Sequence, residues 1–218
     1  MNLEKYIDKS YGEFNSKLIP GVENVLGIRI PALRNIVKEM SEEEREEFLN
    51  SLPHRWHEEN IMHMIIITEE KDFDKAKEML LNFLPYVDNW QVSDVGIPKA
   101  FKSTKDREGL LEFVKILISK EGTYFKRYGI FILMKLFLGD FYNSEVLDMV
   151  ANIKSEEYYV NMMRAWFFQE AMVKRCDDAI KYLEEKKLDR FTHLKTISKC
   201  VDSRKIDEKM KLYLKSLR

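Results

Sequence analysis

The sequence predicts an all-α protein, a right-handed solenoid of helical hairpin repeats, and three observations carry that expectation. Asp72, Asp106 and Asp140 stand 34 residues apart. Trp56, Trp90, Tyr124 and Tyr158 keep the same step, and Phe191 follows at 33. A fixed period of that length over more than half a chain is the signature of stacked helical hairpins. Only 8 Gly and 5 Pro occur in 218 residues, as suits helices joined by tight turns. A solenoid sets equivalent residues of successive repeats side by side, so chemistry is to be sought across repeats rather than within one short motif.

Residues 1–218 are expected to form a single all-helical domain: an N-terminal helical cap over 1–52, then about five hairpins over 53–218. The cap holds helices near 2–17, 31–40 and 42–51. Pro31 suits a first helical position, and Ser41 followed by Glu44 is a capping box opening an acidic helix. The first helices of the hairpins are placed near 54–69, 88–101, 123–138, 156–173 and 189–203. The second helices fall near 73–83, 106–120, 141–152, 177–186 and 205–217. Pro20, Pro31, Pro53 and Pro85 mark junctions. Asp72, Asp106 and Asp140 then lie at the starts of second helices, where a carboxylate accepts free backbone N–H groups and meets the positive helix end. An aromatic near the start of each first helix wedges against the preceding repeat, and Trp56 and Tyr124 are expected in the core. Cys200 lies in an apolar helical pattern and is expected to be packed.

With 45% hydrophobic and 33% charged residues, the composition is that of an ordinary globular protein rather than a disordered one. The N-terminus is polar, and no apolar run approaches membrane length. Cys176 and Cys200 are the only thiols, which points to a reducing cytoplasm rather than to a disulfide framework. Net charge is -1, but it is unevenly spread. Residues 1–98 hold 11 Lys/Arg against 19 Asp/Glu, whereas residues 99–218 hold 25 against 18. A basic half can make an electrostatic footprint for phosphates. Solvated helix faces, such as EEKKLDR at 184–190, are the other reading of the same charges.

Asp94 stands four residues after Trp90, so both share one helix face a turn apart. At whole repeat steps from Asp94 stand Asn60, Tyr128 and Met162, so a carboxylate here is peculiar to this repeat. Pro98 cannot donate to the carbonyl of Asp94, and the helix should kink or break there. A carboxylate beside a Trp at a kink is a site candidate; a capping Asp is the structural alternative. In the next repeat Lys126 and Arg127 stand beside the aromatic wedge of Tyr124 and Tyr128. An Arg there suits bidentate phosphate binding, or a surface ion pair. Tyr158, Met162 and Trp166 form an i, i+4, i+8 stripe of the kind that is usually core. The run HRWHEENIMH gathers His54, His57, Glu58 and His63 without any metal-ligand spacing, and the first two histidines are expected at solvent or cap positions. No Gly-rich phosphate loop, Ser-centred elbow or nucleophilic Cys is evident.

The segments LGIRIPALRNIV (26–37), WQVSD (90–94), KR (126–127), YYVNMMRAW (ending at Trp166) and TISKCVDSRKID together resemble the AlkD-like family of DNA alkylation repair glycosylases. The resemblance covers nearly the whole chain. It implies a curved array of HEAT/ARM-like repeats around duplex DNA, a monomer, and no cofactor or metal. It also implies excision of cationic bases of the 3-alkyladenine and 7-alkylguanine type by cleavage of the N-glycosidic bond, without a deep pocket for a flipped base. By the same resemblance Asp94 is the catalytic carboxylate, Trp90 and Trp166 contact the lesion, and Arg127 and Lys126 hold DNA phosphate. A catalytically inactive helical-repeat protein that binds DNA or a protein partner is the alternative. Tetratricopeptide repeats share the period of 34, but their W-x2-L-G-x2-Y pattern is missing.

Overall fold

The structure, a computed structural model, describes residues 3–218, and among them all regular structure is helical. The chain divides into two compact units, Met1–Lys105 and Asp106–Arg218.

The first unit opens with a 3-10 turn, Glu4–Tyr6, and α1, Lys9–Leu18, whose N-cap Asp8 accepts from the Tyr11 N–H. The helix expected over 2–17 is therefore split, and its first residue lies outside the described residues. Then come α2 (Ile30–Glu39), α3 (Glu42–Asn50), α4 (His57–Glu69) and α5 (Phe73–Phe83). The capping box of α3 forms as expected: the Glu44 N–H donates to Ser41 Oγ at 3.1 Å and the Ser41 N–H to Glu44 Oε2 at 2.8 Å. Two short helices follow, α6 (Trp90–Ser93) and α7 (Lys99–Ser103). Eight consecutive residues of α4, Ile61–Thr68, are buried, six of them apolar, and a helix buried on all sides must be surrounded. Packing against α2, α3, α5 and α6 supplies that enclosure, making α4 the axis of the unit.

In the second unit α8 (Arg107–Ser119) leads to α9 (Thr123–Ile132), which continues through a π turn, Leu133–Phe137. After it come α10 (Glu145–Ala151), α11 (Tyr158–Lys174), α12 (Cys176–Glu184), α13 (Arg190–Asp202) and α14 (Glu208–Ser216). α11 packs against both α9 and α13. Buried Val160, Met163, Phe167, Phe168 and Met172 make α11 the apolar axis here. Beneath it Arg164 is 2% exposed and donates to the carbonyls of Val150 and Ala151 and to Asn161 Oδ1, Thr192 Oγ1 and Asp189 Oδ2. Asp189 in turn caps α13. One buried cation thus ties α10, α11 and α13 together.

Asp72 and Asp106 cap α5 and α8 as expected, each accepting from a backbone N–H at 2.8 Å. Asp140 does not. The π turn and a further turn over 138–141 lengthen the connection, α10 starts only at Glu145, and Asn143 Oδ1 takes the Glu145 N–H at 3.0 Å. Tyr124 is buried and Cys200 is packed, but Trp56 is only partly buried, with the Arg55 guanidinium 4.7 Å from its ring centroid. Trp56 is the N-cap residue of α4, in the extended conformation. Among the described residues no helix is long and apolar enough to cross a membrane.

Candidate functional site

The helix expected over 88–101 is interrupted at the carboxylate. Asn89 Oδ1 accepts from the N–H groups of Gln91 (3.0 Å) and Val92 (3.2 Å) and so starts α6. One turn later Asp94 is the C-cap, its N–H still donating to the Trp90 carbonyl at 3.0 Å. The chain then stays non-helical until Pro98, the N-cap of α7, because the residue before a proline is pushed out of the helical region. Trp90 and Asp94 therefore stand a turn apart on a one-turn helix, both partly exposed. Ser93, fully buried, donates its hydroxyl to Asp94 Oδ1 at 2.7 Å and so helps to hold the carboxylate.

Such a short helix cannot hold itself, and its support comes from α1, α2 and α4. The Trp90 indole N–H donates to the Leu18 carbonyl at 3.0 Å, so the polar edge is engaged and the ring face is what the residue has left to offer. Gln91 Nε2 donates to Asn15 Oδ1 at 2.7 Å. Buried His57 lies 3.1 Å from Gln91 Oε1 through Nε2 and 3.2 Å from Asn89 Nδ2 through Nδ1. An amide N–H can only donate, so Nδ1 accepts and the proton sits on Nε2. Burial lowers the His57 pKa and keeps the neutral tautomer that this chain of bonds needs. Past Asp94, Arg34 Nη2 donates to the Val95 carbonyl at 3.3 Å.

The LGIR segment is the anchor of this support. Buried Glu58 accepts three backbone N–H groups: Leu26 at 2.9 Å, Gly27 at 2.7 Å and Ile28 at 3.2 Å. Gly27 has φ +86, and a Cβ there would lie 2.5 Å from the Asp8 carbonyl oxygen and 2.7 Å from Gly12. Arg29 pairs with Asp8 at 3.0 Å. These bonds clamp α1 to α2 and α4, which brings Leu18 and Asn15 under Trp90 and Gln91.

His54 and His57 are expected at solvent or cap positions; His57 instead is buried at the first position of α4, and His54 is partly buried just before it. His54 Nε2 and His63 Nδ1 lie 2.8 Å apart, His54 stacks on Phe48 and His63 on Phe83. Burial and the neighbouring His54 push the His63 pKa down to about 3. Their rings pack between Phe48 and Phe83. Among the described residues no group of three or more His, Cys, Asp or Glu is placed to hold a metal.

In the second unit Arg127 is 5% exposed and its Nη1 donates to the Tyr159 carbonyl on α11 at 2.8 Å, while Lys126 is partly exposed. Trp166 is carried by α11, two turns beyond Tyr158, and Lys135 from the π turn lies 5.4 Å from its ring centroid. The Tyr158–Met162–Trp166 stripe is not core. Tyr158 is 53% exposed, Met162 and Trp166 are partly exposed, and the core face of α11 is the one bearing Met163, Phe167 and Phe168. Lys199 on α13 lies close enough to Arg127 and Lys195 to feel both charges.

Asn15, His57, Asn89, Gln91 and Ser93 were not singled out by sequence as supports of Trp90 and Asp94. A signal existed: His57 and Gln91, which bond, are 34 residues apart, as are the bonded pairs Thr123–Glu157 and Asp148–Tyr182. The repeat step that aligns the aromatics also aligns polar partners.

The arrangement can present a carboxylate and a tryptophan face on one unit, and a tryptophan with several cations on the other. No curated protein matches the chain. Over residues 1–200 it matches the profile of a family described as DNA alkylation repair enzyme, and the chain belongs to that family.

Proposed function

We propose that the protein is a DNA-alkylpurine N-glycosylase, releasing 3-alkyladenine and 7-alkylguanine type bases from duplex DNA. The observation that carries the reading is Asp94 at the end of a one-turn helix, hydrogen-bonded by Ser93 and flanked by Trp90, in a chain of the alkylation repair family. An alkylated purine of this kind is cationic and already a good leaving group, so no strong acid is needed. Breaking the bond from C1′ to the base nitrogen returns the electron pair to the base and leaves positive charge on the deoxyribose. Asp94 stabilises that charge and orients the water that adds to C1′, whose released proton neutralises in solvent. Trp90 and Trp166 offer ring faces to the cationic nucleotide, each contributing on the order of 0.5–2 kcal/mol. Arg127 and Lys126 hold backbone phosphate. The protein acts as a monomer built from HEAT-like repeats, without a cofactor.

The test is release of free 7-methylguanine and 3-methyladenine from methylated duplex DNA by wild type and Asp94→Asn. Release should fall by at least about two orders of magnitude in the variant, the scale of losing a preorganised electrostatic group. Duplex binding should hardly change. Full activity in Asp94→Asn removes the assigned role. Absence of release by wild type, with tight duplex binding, points instead to a DNA-binding repeat protein.

A further inference from the structure

Beside Trp166 the second unit carries a cavity of about 390 Å³ whose remaining lining comes from α11, the end of α13 and the turn after it. Lys199, Arg204 and Lys205 supply the cations, Glu170 and Asp202 the anions. We propose that this cavity is a phosphodiester subsite, with Lys199 as its central ligand and Arg204 and Lys205 as its rim, gripping the nucleic-acid strand next to the nucleotide that Trp166 contacts. This deepens the glycosylase reading and rests on it for the role of Trp166.

Three features argue for it. First, Lys199 is half-buried but makes no hydrogen bond or ion pair among the described residues, and neither do Arg204 and Lys205 with any acid. A half-buried ammonium with no direct hydrogen bond or ion pair is a placement that packing alone disfavours. Second, like charges crowd it. Burial, Arg127 and Lys195 all push the Lys199 pKa down, and only Asp202 opposes them. That is a standing positive potential, which a phosphate would relieve. Third, the cations surround an aromatic face: Lys135 lies 5.4 Å from the Trp166 ring and Lys199 shares the cavity with it. A stacking platform with cations around it suits a nucleotide chain, in which bases and phosphates alternate. A protein partner would be expected to match charge with acidic side chains and has no use for that alternation.

The test is the salt dependence of binding to undamaged duplex DNA, followed with labelled DNA for wild type, Lys199→Gln, Lys199→Arg and the double variant Arg204→Gln/Lys205→Gln. Each lost phosphate contact lowers the slope of log K against log salt by about 0.9. Lys199→Gln should lower it by about one, the double variant by about two, and Lys199→Arg should keep the wild-type slope. Arg204 and Lys205 are exposed, so their replacement leaves the core intact whatever Lys199 does for folding. Unchanged slopes in both neutral variants overturn the subsite, as does failure of the wild type to bind duplex at all. Free phosphate competing with wild type as strongly as it does with Lys199→Gln also overturns it, since the site must then lie elsewhere. Altered slopes without base release leave the subsite standing and sink the glycosylase reading alone. Base release with unaltered slopes does the reverse.

Discussion

Replacing Glu58 by Gln probes the clamp beneath Trp90 with a change of one atom. Oε1 accepts from Gly27 and Ile28, and Oε2 accepts from Leu26 at 2.9 Å. A glutamine can keep the first two bonds only by turning its NH2 toward the Leu26 N–H, donor against donor. One bond to a charged acceptor is lost, worth about 1.5–3 kcal/mol, and the other two lose their charge assistance. The sum is about 3 kcal/mol. For a chain of this length that lowers Tm by about 6–12 °C. Thermal unfolding followed by circular dichroism reads the shift, and urea midpoints at constant slope check that the unfolded state has not changed. Gly27→Ala should lose as much by another route, since its Cβ would lie 2.5 Å from the Asp8 carbonyl oxygen at a positive φ. In both variants α1 loosens, so Trp90 should lose its bond to Leu18 and its fluorescence should shift toward that of a more exposed indole. A Tm fall below about 2 °C for Glu58→Gln would refute the claim that this carboxylate organises the LGIR segment.

Stability should also fall on acidification. His63 ionises only near pH 3 when folded but near 6.5 when unfolded, so the unfolded state binds more protons between those values. Going from pH 7 to pH 5 should remove about 2 kcal/mol. His63→Phe should flatten that dependence, and equal urea-midpoint shifts in both proteins would rule it out. Arg164→Met leaves two buried carbonyls and Asp189 without their donor, and should cost about 3–5 kcal/mol by denaturant unfolding; a loss under 1 kcal/mol would show that water replaces the guanidinium. Arg127→Ala should reduce the salt slope of duplex binding by about one unit and also destabilise by about 1–3 kcal/mol, because the Tyr159 carbonyl loses its partner. An unchanged slope with reduced stability would make Arg127 a structural residue only.

Most of the helical architecture was legible because it rests on local rules. Asp72, Asp106 and the Ser41–Glu44 box cap helices through bonds spanning three residues, which any reading frame along the chain displays. The break near Asp94 followed from a ring nitrogen without a hydrogen at Pro98. Asp140 failed for a reason the period could not contain: a π turn and a longer connection moved the helix start past it. The histidines misled because their fate depends on what encloses α4, and an unassisted helix pattern does not say that a polar residue will find Phe48, Phe83 or Gln91.

What the sequence determined by itself was local: the 34-residue spacing, the caps at Asp72, Asp106 and Ser41, and Asp94 as a carboxylate peculiar to its place in that spacing. Tertiary structure alone decided orientation. It turned the Tyr158–Met162–Trp166 stripe outward, buried Arg127 against a carbonyl, tied the Trp90 indole to Leu18, and left Lys199 half-buried without a direct ion pair. Helical spacing says which side chains share a face. Which face is buried depends on the apolar area that neighbouring helices can cover, and that is a property of packing between helices, not of any one of them.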